Sequence, residues 1–165
     1  MKNCFTLQLA LLTFTGFCQH KDARVTRVID GDTFVAEWNG KNHHCRISNI
    51  DAPELKQNYG QQAYRNLNAL IIGKDLQLDS LRKDMYGRVI ILARIGNKRL
   101  DSLIVREGWA WHYVNYSTDA VIKYCMDSAI AESKGLWICG ANKVCPPWLY
   151  RKYNYRNRVK YCKGC

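Results

Sequence analysis

The chain has little proline, few acidic residues and no long apolar run. Three prolines occur among 165 residues, and 14 Asp and Glu stand against 25 Lys and Arg. With a hydrophobic fraction of 47%, this composition excludes a disordered, collagenous or low-complexity chain. No apolar stretch reaches the roughly 18–20 residues that span a bilayer, which excludes a multipass membrane protein. The length fits one domain with a short tail and excludes a large multidomain enzyme.

The shortage of acidic residues leaves a formal net charge of +11. A positive surplus of this size favours a polyanionic partner, either nucleic acid or an anionic membrane surface. The alternative is a basic protein whose charge serves only its solubility.

The first 19 residues differ from the rest of the chain. One Lys precedes an uncharged, mostly apolar stretch over residues 4–17, and polar residues follow from Gln19. This layout is typical of a signal peptide, which we predict over residues 1–19, with a secreted or periplasmic (cell-envelope) location. A lipid anchor at Cys18 and a buried N-terminal helix are the alternatives.

The eight cysteines support export. Removing the signal peptide leaves six of them, and four of these lie in the last 27 residues. In an exported chain this pattern predicts disulfides, including a small disulfide loop from Cys139 to Cys145. A zinc site is the alternative, although only Cys162 and Cys165 have the usual spacing for one.

Short β-branched segments alternate with amphipathic ones from Arg24 onward. The pattern predicts five strands, over residues 25–29, 33–38, 43–50, 76–81 and 89–95. It predicts three helices, over residues 61–72, 101–108 and 118–134. Together they indicate an α+β fold built on a small β-barrel.

The predicted hairpin between the second and third strands brings acidic residues together. If Asn39 and Gly40 form its turn, Asp32 faces residue 47 and Asp30 faces residue 49. Asp51, just past the third strand, then reaches the same end of the sheet. Carboxylates gathered in this way repel one another unless a cation lies between them, so we predict a divalent metal site.

Two arginines and a glutamate accompany the predicted metal site. Arg46 lies beside Asp32 across the hairpin, and Arg88 arrives on a Tyr-Gly-Arg turn. Planar guanidinium groups grip phosphate through two hydrogen bonds. Glu54 follows Asp51 by three residues and can accept a proton or orient water. These are the ingredients of phosphodiester hydrolysis.

Several ordered motifs resemble the staphylococcal (thermonuclease-type) nuclease family over roughly residues 24–148. They are Val-Ile-Asp-Gly-Asp-Thr at 28–33, Arg-Ile-Ser-Asn-Ile-Asp-Ala-Pro-Glu at 46–54, Tyr-Gly-Arg at 86–88, Gly-Trp-Ala-Trp-His-Tyr at 108–113, Gly-Leu-Trp at 135–137 and Pro-Pro-Trp at 146–148. The resemblance implies a five-stranded OB-fold barrel with about three helices. It also implies a calcium-dependent endonuclease that acts on DNA and RNA and releases 3′-phosphates.

The resemblance also implies a role for each matching residue. Ca²⁺ would be bound by the carboxylates of Asp32 and Asp51 and by the backbone carbonyl of Ala52, with Asp30 supporting the site. Arg46 and Arg88 would bind the scissile phosphate, and Glu54 would position or deprotonate the attacking water. The substrate would further contact Tyr86 and Tyr113.

Residues 149–165, which follow the segment that resembles the family, form a basic tail that is rich in tyrosine. Such a tail suits single-stranded nucleic acid, through phosphate neutralisation and base stacking. Alternatively, its tyrosines pack on the barrel and its charges are solvated. We expect a monomer with residues 24–148 as its nuclease domain. The alternative function is a nucleic-acid-binding OB-fold module without catalytic activity.

Overall fold

The computed structural model describes residues 21–162. Eight strands occur there, several of them only two residues long: β1 Lys21–Val28, β2 Thr33–Trp38, β3 Lys41–Ile47, β4 Ile50–Asp51, β5 Asp75–Lys83, β6 Val89–Ile95, β7 Lys98–Arg99 and β8 Trp111–His112. The longer ones are rich in Val, Ile, Leu and Thr, whose side chains suit a pleated, half-buried surface. All five predicted strands are present.

The sheet closes on itself. Its strand order is β3-β2-β1-β5-β6-β7, and β3 also pairs with β6. This closing pair is parallel, with Cys45 opposite Val89 and Arg46 opposite Ile90. The result is the predicted closed five-stranded barrel of the OB-fold. Closure brings the end of β3 beside the start of β6, so it determines which side chains share the mouth of the barrel.

The turn between β2 and β3 has the predicted form. Asn39 and Gly40 have positive φ values of 51° and 68°, as a two-residue turn between twisted strands requires. The ladder then pairs Thr33 with Arg46, and the backbone N–H of Ile47 donates to the carbonyl of Asp32 at 2.9 Å. The predicted register is therefore confirmed, and it places Asp32 next to Arg46.

Five α-helices occur within residues 21–162: α1 Gly60–Ile71, α2 Leu100–Arg106, α3 Ala120–Ala131, α4 Pro147–Lys152 and α5 Tyr155–Tyr161. The first three match the predicted helices: α1 packs on β1 through Ala63, Leu67 and Ile71, α2 packs on β6, and α3 packs on α2 and β8. The last two lie in the tail, where periodicity predicted none. No helix in this part of the chain is long and apolar enough to cross a bilayer.

The cysteines divide into two groups. Cys145 and Cys162 form a disulfide that encloses α4 and α5, and Cys139 is disulfide-bonded as well. The predicted small loop from Cys139 to Cys145 is therefore wrong, because Cys145 pairs with Cys162. Cys45 and Cys125 are buried free thiols in the barrel and in α3, so the expectation of disulfides is correct only near the C-terminus.

Candidate active site

Two buried aspartates share one arginine at the mouth of the barrel. Arg46, on β3, donates from Nη1 to Asp32 Oδ1 at 2.6 Å and from Nη2 to Asp51 Oδ1 at 2.9 Å. The side chains of Asp32 and Asp51 are only 4% and 0% exposed. Burial works against the charge of Arg46, but the two carboxylates raise its pKa. A charged arginine thus joins two carboxylates that burial would otherwise disfavour.

The local backbone orients Asp32. Its Oδ2 accepts the N–H of Ala52 at 2.8 Å, and its Oδ1 also accepts the hydroxyl of Thr33 at 3.0 Å. Asp30 lies one step behind, where its carboxylate accepts the backbone N–H of Asp32 at 3.0 Å. Burial, and then the charge of Asp32, raise the pKa of Asp30 to about 7. Asp30 therefore supports the loop that carries Asp32.

Arg88 arrives from the other side, immediately before β6. Asp84 holds it in place: Asp84 Oδ2 accepts from Arg88 Nε at 2.7 Å, and Oδ1 accepts the backbone N–H groups of Tyr86 and Arg88, both at 2.9 Å. Burial is the largest single effect and opposes the charge of Asp84, but the hydrogen bonds from Arg88 and Tyr86 together lower its pKa. The guanidinium also lies 5.5 Å from the ring of Tyr86, which is 77% exposed. Asp84 was not singled out from the sequence, although its Asx-turn position before Tyr-Gly-Arg was a usable signal.

Glu54 sits on the loop that links β4 to α1. Its backbone N–H donates to the side chain of Gln57, and its carbonyl accepts the N–H of Gln57 at 2.7 Å. Gly60 packs directly on this carbonyl, since a Cβ there would lie 1.9 Å from it. The start of α1 therefore fixes the backbone of Glu54, while the carboxylate extends toward the cleft.

Arg151, on α4, completes the cluster and was not foreseen as a site residue. Its Nη2 donates to Asp51 Oδ2 at 2.6 Å, and its Nη1 donates to Glu54 Oε1 at 2.7 Å and to Asp51 Oδ1 at 3.3 Å. Burial raises the pKa of Asp51, an effect that Arg151 and Arg46 oppose. We call Asp32, Asp51, Glu54, Arg46 and Arg151 the acid–arginine cluster.

Aromatic side chains line the opposite wall. Tyr113 stacks on Trp148 with ring centroids 5.6 Å apart and contacts Tyr116 at 4.8 Å. Two histidines have structural positions: His43 stacks on Trp38, and His112 is buried on β8. Of the residues predicted to bind substrate, Tyr113 is packed among aromatic rings and Tyr86 is exposed at the rim.

These groups surround one cleft of about 860 Å³. Eight of the nine predicted site residues line it: Asp30, Asp32, Arg46, Ala52, Glu54, Tyr86, Arg88 and Tyr113. Asp51 lies behind them, fully buried. Arg82, Lys83 and Arg151 also line the cleft and add positive charge that was not predicted from the sequence. The cleft therefore combines carboxylates, which can bind a cation, with a larger number of cationic groups, which can bind a polyanion.

All three predicted carboxylates lie at this end of the sheet: Asp30 and Asp32 line the cleft, and Asp51 is buried behind them. Within residues 21–162 no group of three or more His, Cys, Asp or Glu side chains has the arrangement of a metal site. Asp32 and Asp51 do meet, because one guanidinium contacts both. Asp30 accepts the backbone N–H of Asp32, and its carboxylate lies close enough to that of Asp32 for the two to interact.

The chain is similar in sequence to known nucleases. Residues 44–139 match the model of the family described as staphylococcal nuclease homologue. An "Uncharacterized endonuclease" of Escherichia coli is 35% identical over 153 residues, which cover 92% of this chain and 98% of that protein. A "Micrococcal nuclease" of Shigella flexneri is 31% identical over 139 residues, or 78% of this chain and 79% of that protein. An "Uncharacterized endonuclease" of Haemophilus influenzae is 31% identical, covering 82% of this chain and 78% of that protein.

The closed barrel and the cleft at its mouth define an α+β OB-fold protein with a site for an anionic ligand. The matches to known proteins identify the family. The chain belongs to the staphylococcal nuclease homologue family, and it is a nuclease-type hydrolase whose substrate is nucleic acid. The match to the family model ends at residue 139, so α4, α5 and Arg151 lie beyond it.

Proposed function

We propose that this protein is an exported, calcium-dependent endonuclease that hydrolyses phosphodiester bonds of DNA and RNA and leaves 3′-phosphates. One observation carries the proposal. Arg46 joins the buried Asp32 and Asp51 in a cleft that also holds Arg88 and Glu54. Fixed carboxylates beside fixed arginines are what phosphoryl-transfer chemistry requires, because it depends on positioning and on charge stabilisation.

The donor set fits a hard divalent ion. Asp32 and Asp51 offer carboxylate oxygens, and the backbone carbonyl of Ala52, the residue after Asp51, would be a third oxygen donor. Oxygen ligands of this kind suit Ca²⁺, which accepts irregular coordination and retains waters. Asp30 would support the site by holding the loop of Asp32. A bound ion supplies positive charge against the phosphate oxygens and lowers the pKa of a coordinated water.

The chain's own residues account for the remaining roles. Arg46 and Arg88 would bind the scissile phosphate through paired N–H donors and stabilise the charge that develops on it. Glu54 would orient the attacking water and accept its proton. Attack at phosphorus breaks the bond to the 5′-oxygen, which takes a proton from solvent water and leaves as a 5′-hydroxyl, so the phosphate stays on the 3′ side. Tyr86 and Tyr113 would contact the substrate at the rim and the wall of the cleft.

Export rests on two observations from different parts of the chain. The uncharged apolar stretch at residues 4–17 has the layout of a signal peptide, and it lies outside the described residues. The disulfide between Cys145 and Cys162 is typical of an oxidising compartment. Mass spectrometry of the mature N-terminus tests both cleavage after residue 19 and lipidation at Cys18. An unprocessed chain that still begins at Met1 would contradict export.

The central experiment is digestion of single-stranded DNA with Ca²⁺ and with a chelator. We expect cleavage only with the metal, and strongly reduced turnover in Arg46→Lys and Arg88→Lys, since an ammonium group cannot replace the planar fork. Arg65→Lys, the same change at an exposed position of α1, should leave turnover unchanged. Wild-type speed in either site variant, or cleavage in chelator, would contradict the proposal. Removal of the new terminal phosphate by a 3′-phosphatase identifies the product.

A further inference from the structure

The C-terminal segment between Cys145 and Cys162 reaches the acid–arginine cluster through Arg151. Arg151 is separated from Asp51 by 100 residues and from Glu54 by 97, yet it contacts both. Its three hydrogen bonds go to the buried carboxylate proposed to bind the ion and to the carboxylate proposed to activate water. A tail whose charges were merely solvated would not make these contacts with two functional carboxylates.

The segment is built to hold Arg151 there. The disulfide between Cys145 and Cys162 encloses it on both sides. Within α4, Trp148 lies one turn before Arg151, and its ring packs against Tyr113 and Trp111. Tyr150 donates its hydroxyl to the carbonyl of Lys56, next to the loop of Glu54. Aromatic packing, a hydrogen bond and a covalent link therefore fix the backbone from which Arg151 extends.

The guanidinium satisfies the acceptors that a cation would need. Asp51 Oδ2 accepts from Arg151, and Asp51 Oδ1 accepts from both Arg46 and Arg151. Asp32 is similarly engaged by Arg46, Thr33 and Ala52. A divalent ion bound to Asp51 would lie close to the positive charge of Arg151, and the two would repel. Ion and guanidinium therefore compete for the same carboxylate.

The Arg151 side chain can reach a bound phosphate when it is released from Asp51. Its side chain is 41% exposed and lines the main cleft, together with Arg46 and Arg88. It also lines a smaller adjoining cleft that contains Lys56 and Arg158. A phosphate group entering between these clefts would meet the guanidinium as soon as the carboxylates no longer hold it.

We infer that Arg151 is an exchangeable third arginine of the active site. It neutralises Asp51 and Glu54 before the cation binds, and it transfers to a phosphate of the nucleic acid when the cation takes Asp51. The inference deepens the proposed function and rests on it. Through this exchange each ligand favours the other: the ion frees Arg151 for phosphate, and phosphate frees Asp51 for the ion.

The test follows from the opposite effects that Arg151 has on the two ligands. In Arg151→Ala, Ca²⁺ should bind about tenfold more tightly, because a competing unit charge beside Asp51 is gone. A nucleoside 3′-phosphate, measured in saturating Ca²⁺, should bind about tenfold more weakly, because one charge-assisted contact is lost. Isothermal titration of the mature protein gives both affinities. A general loss of structure would weaken both ligands, so the opposite signs identify the exchange.

Matched variants complete the experiment. Lys152→Ala removes the same charge from the adjacent exposed residue of α4 and should change neither affinity. Arg151→Lys keeps the charge without the fork and should fall between wild type and Ala for both ligands. If Arg151→Ala folds poorly, Arg151→Gln serves in its place, because it keeps the packing of the side-chain stem. It should show the same two changes in affinity.

The disulfide provides an independent check. Replacing Cys145 and Cys162 by serine frees the segment and should tighten Ca²⁺ binding in the wild-type background, but not further in Arg151→Ala. Unchanged or weaker Ca²⁺ binding in Arg151→Ala, or unchanged nucleotide binding, would overturn the exchange. Failure of the wild-type protein to bind Ca²⁺ or to cut DNA would instead overturn the proposed function, so the two failures are distinguishable.

Discussion

Asp84 offers a sharp test of how Arg88 is positioned. In Asp84→Asn, the amide oxygen can still accept the backbone N–H groups of Tyr86 and Arg88, but the NH₂ group cannot accept from Arg88 Nε. The substitution therefore removes one charge-assisted hydrogen bond and leaves the turn in place. Such a bond contributes roughly 1.5–3 kcal/mol when buried, and partial exposure of both side chains reduces this to about 1–2 kcal/mol.

If that energy serves to orient Arg88 in the transition state, kcat/KM should fall about 5- to 30-fold. The assay is initial-rate cleavage of a fluorescent single-stranded oligonucleotide in Ca²⁺. Asp127→Asn, which breaks the exposed pair with Lys123 on α3, should have no effect on the rate. In an Arg88→Ala background, Asp84→Asn should cost nothing further, because its effect acts through Arg88. An unchanged rate, or an equal loss in both backgrounds, would refute this reasoning.

The same substitution predicts a pH dependence of stability. Arg88 lowers the pKa of Asp84 in the folded protein, so the ionised carboxylate stabilises the fold above the ordinary pKa of about 4. This contribution is lost as the pH falls through the folded-state pKa. The difference in urea midpoint between wild type and Asp84→Asn should therefore be largest near neutral pH and shrink below about pH 4. A difference that grows on acidification would contradict the assignment.

Three further outcomes concern stability and thiol reactivity. Gly108→Ala should destabilise more than Gly73→Ala, although both glycines have φ of +68°: an added Cβ at Gly108 meets the carbonyl of Lys134 at 2.3 Å, and at Gly73 it meets open space. The left-handed backbone alone costs about 1–2 kcal/mol at either position, so equal urea midpoints for the two variants would rule out the close contact. Asp119→Ala should cost about 1–2 kcal/mol in urea unfolding, since its carboxylate caps α3 through two N–H groups, whereas Asp119→Asn retains a capping oxygen and should cost less. Burial raises the pKa of Cys45 to about 12, so neither Cys45 nor Cys125 should react with a disulfide reagent at pH 8 until the protein unfolds, and rapid reaction of the native protein would contradict their burial.

The hairpin shows which parts of the site the sequence could predict. Asn39 and Gly40 select a two-residue turn, and the period-2 geometry of strands then determines every facing pair up to Asp32 and Ile47. The juxtaposition of Arg46 and Asp32 follows from these local rules alone. The helix over 60–71 was similarly visible, because its apolar residues recur at helical spacing.

The tail shows where such reasoning stops. Its basic and aromatic composition fitted both a nucleic-acid-binding tail and a tail whose tyrosines pack on the barrel, and its short helices have no extended periodicity to detect. In the structure Tyr150 donates a hydrogen bond to the carbonyl of Lys56, while Tyr155 is 82% exposed. The pairing of Cys145 with Cys162 was equally hidden, since many pairings of six cysteines are compatible with one sequence.

The amino-acid sequence by itself determined the family motifs, the strands of the barrel and the pairing of Asp32 with Arg46, because these depend on neighbours along the chain or across one tight turn. Only the tertiary structure decided that Asp30 hydrogen-bonds the backbone of Asp32, that Asp84 holds Arg88, and that Arg151 enters the cluster from a helix near the C-terminus. Contacts between residues about 100 positions apart depend on the whole path of the chain, and no local periodicity encodes that path.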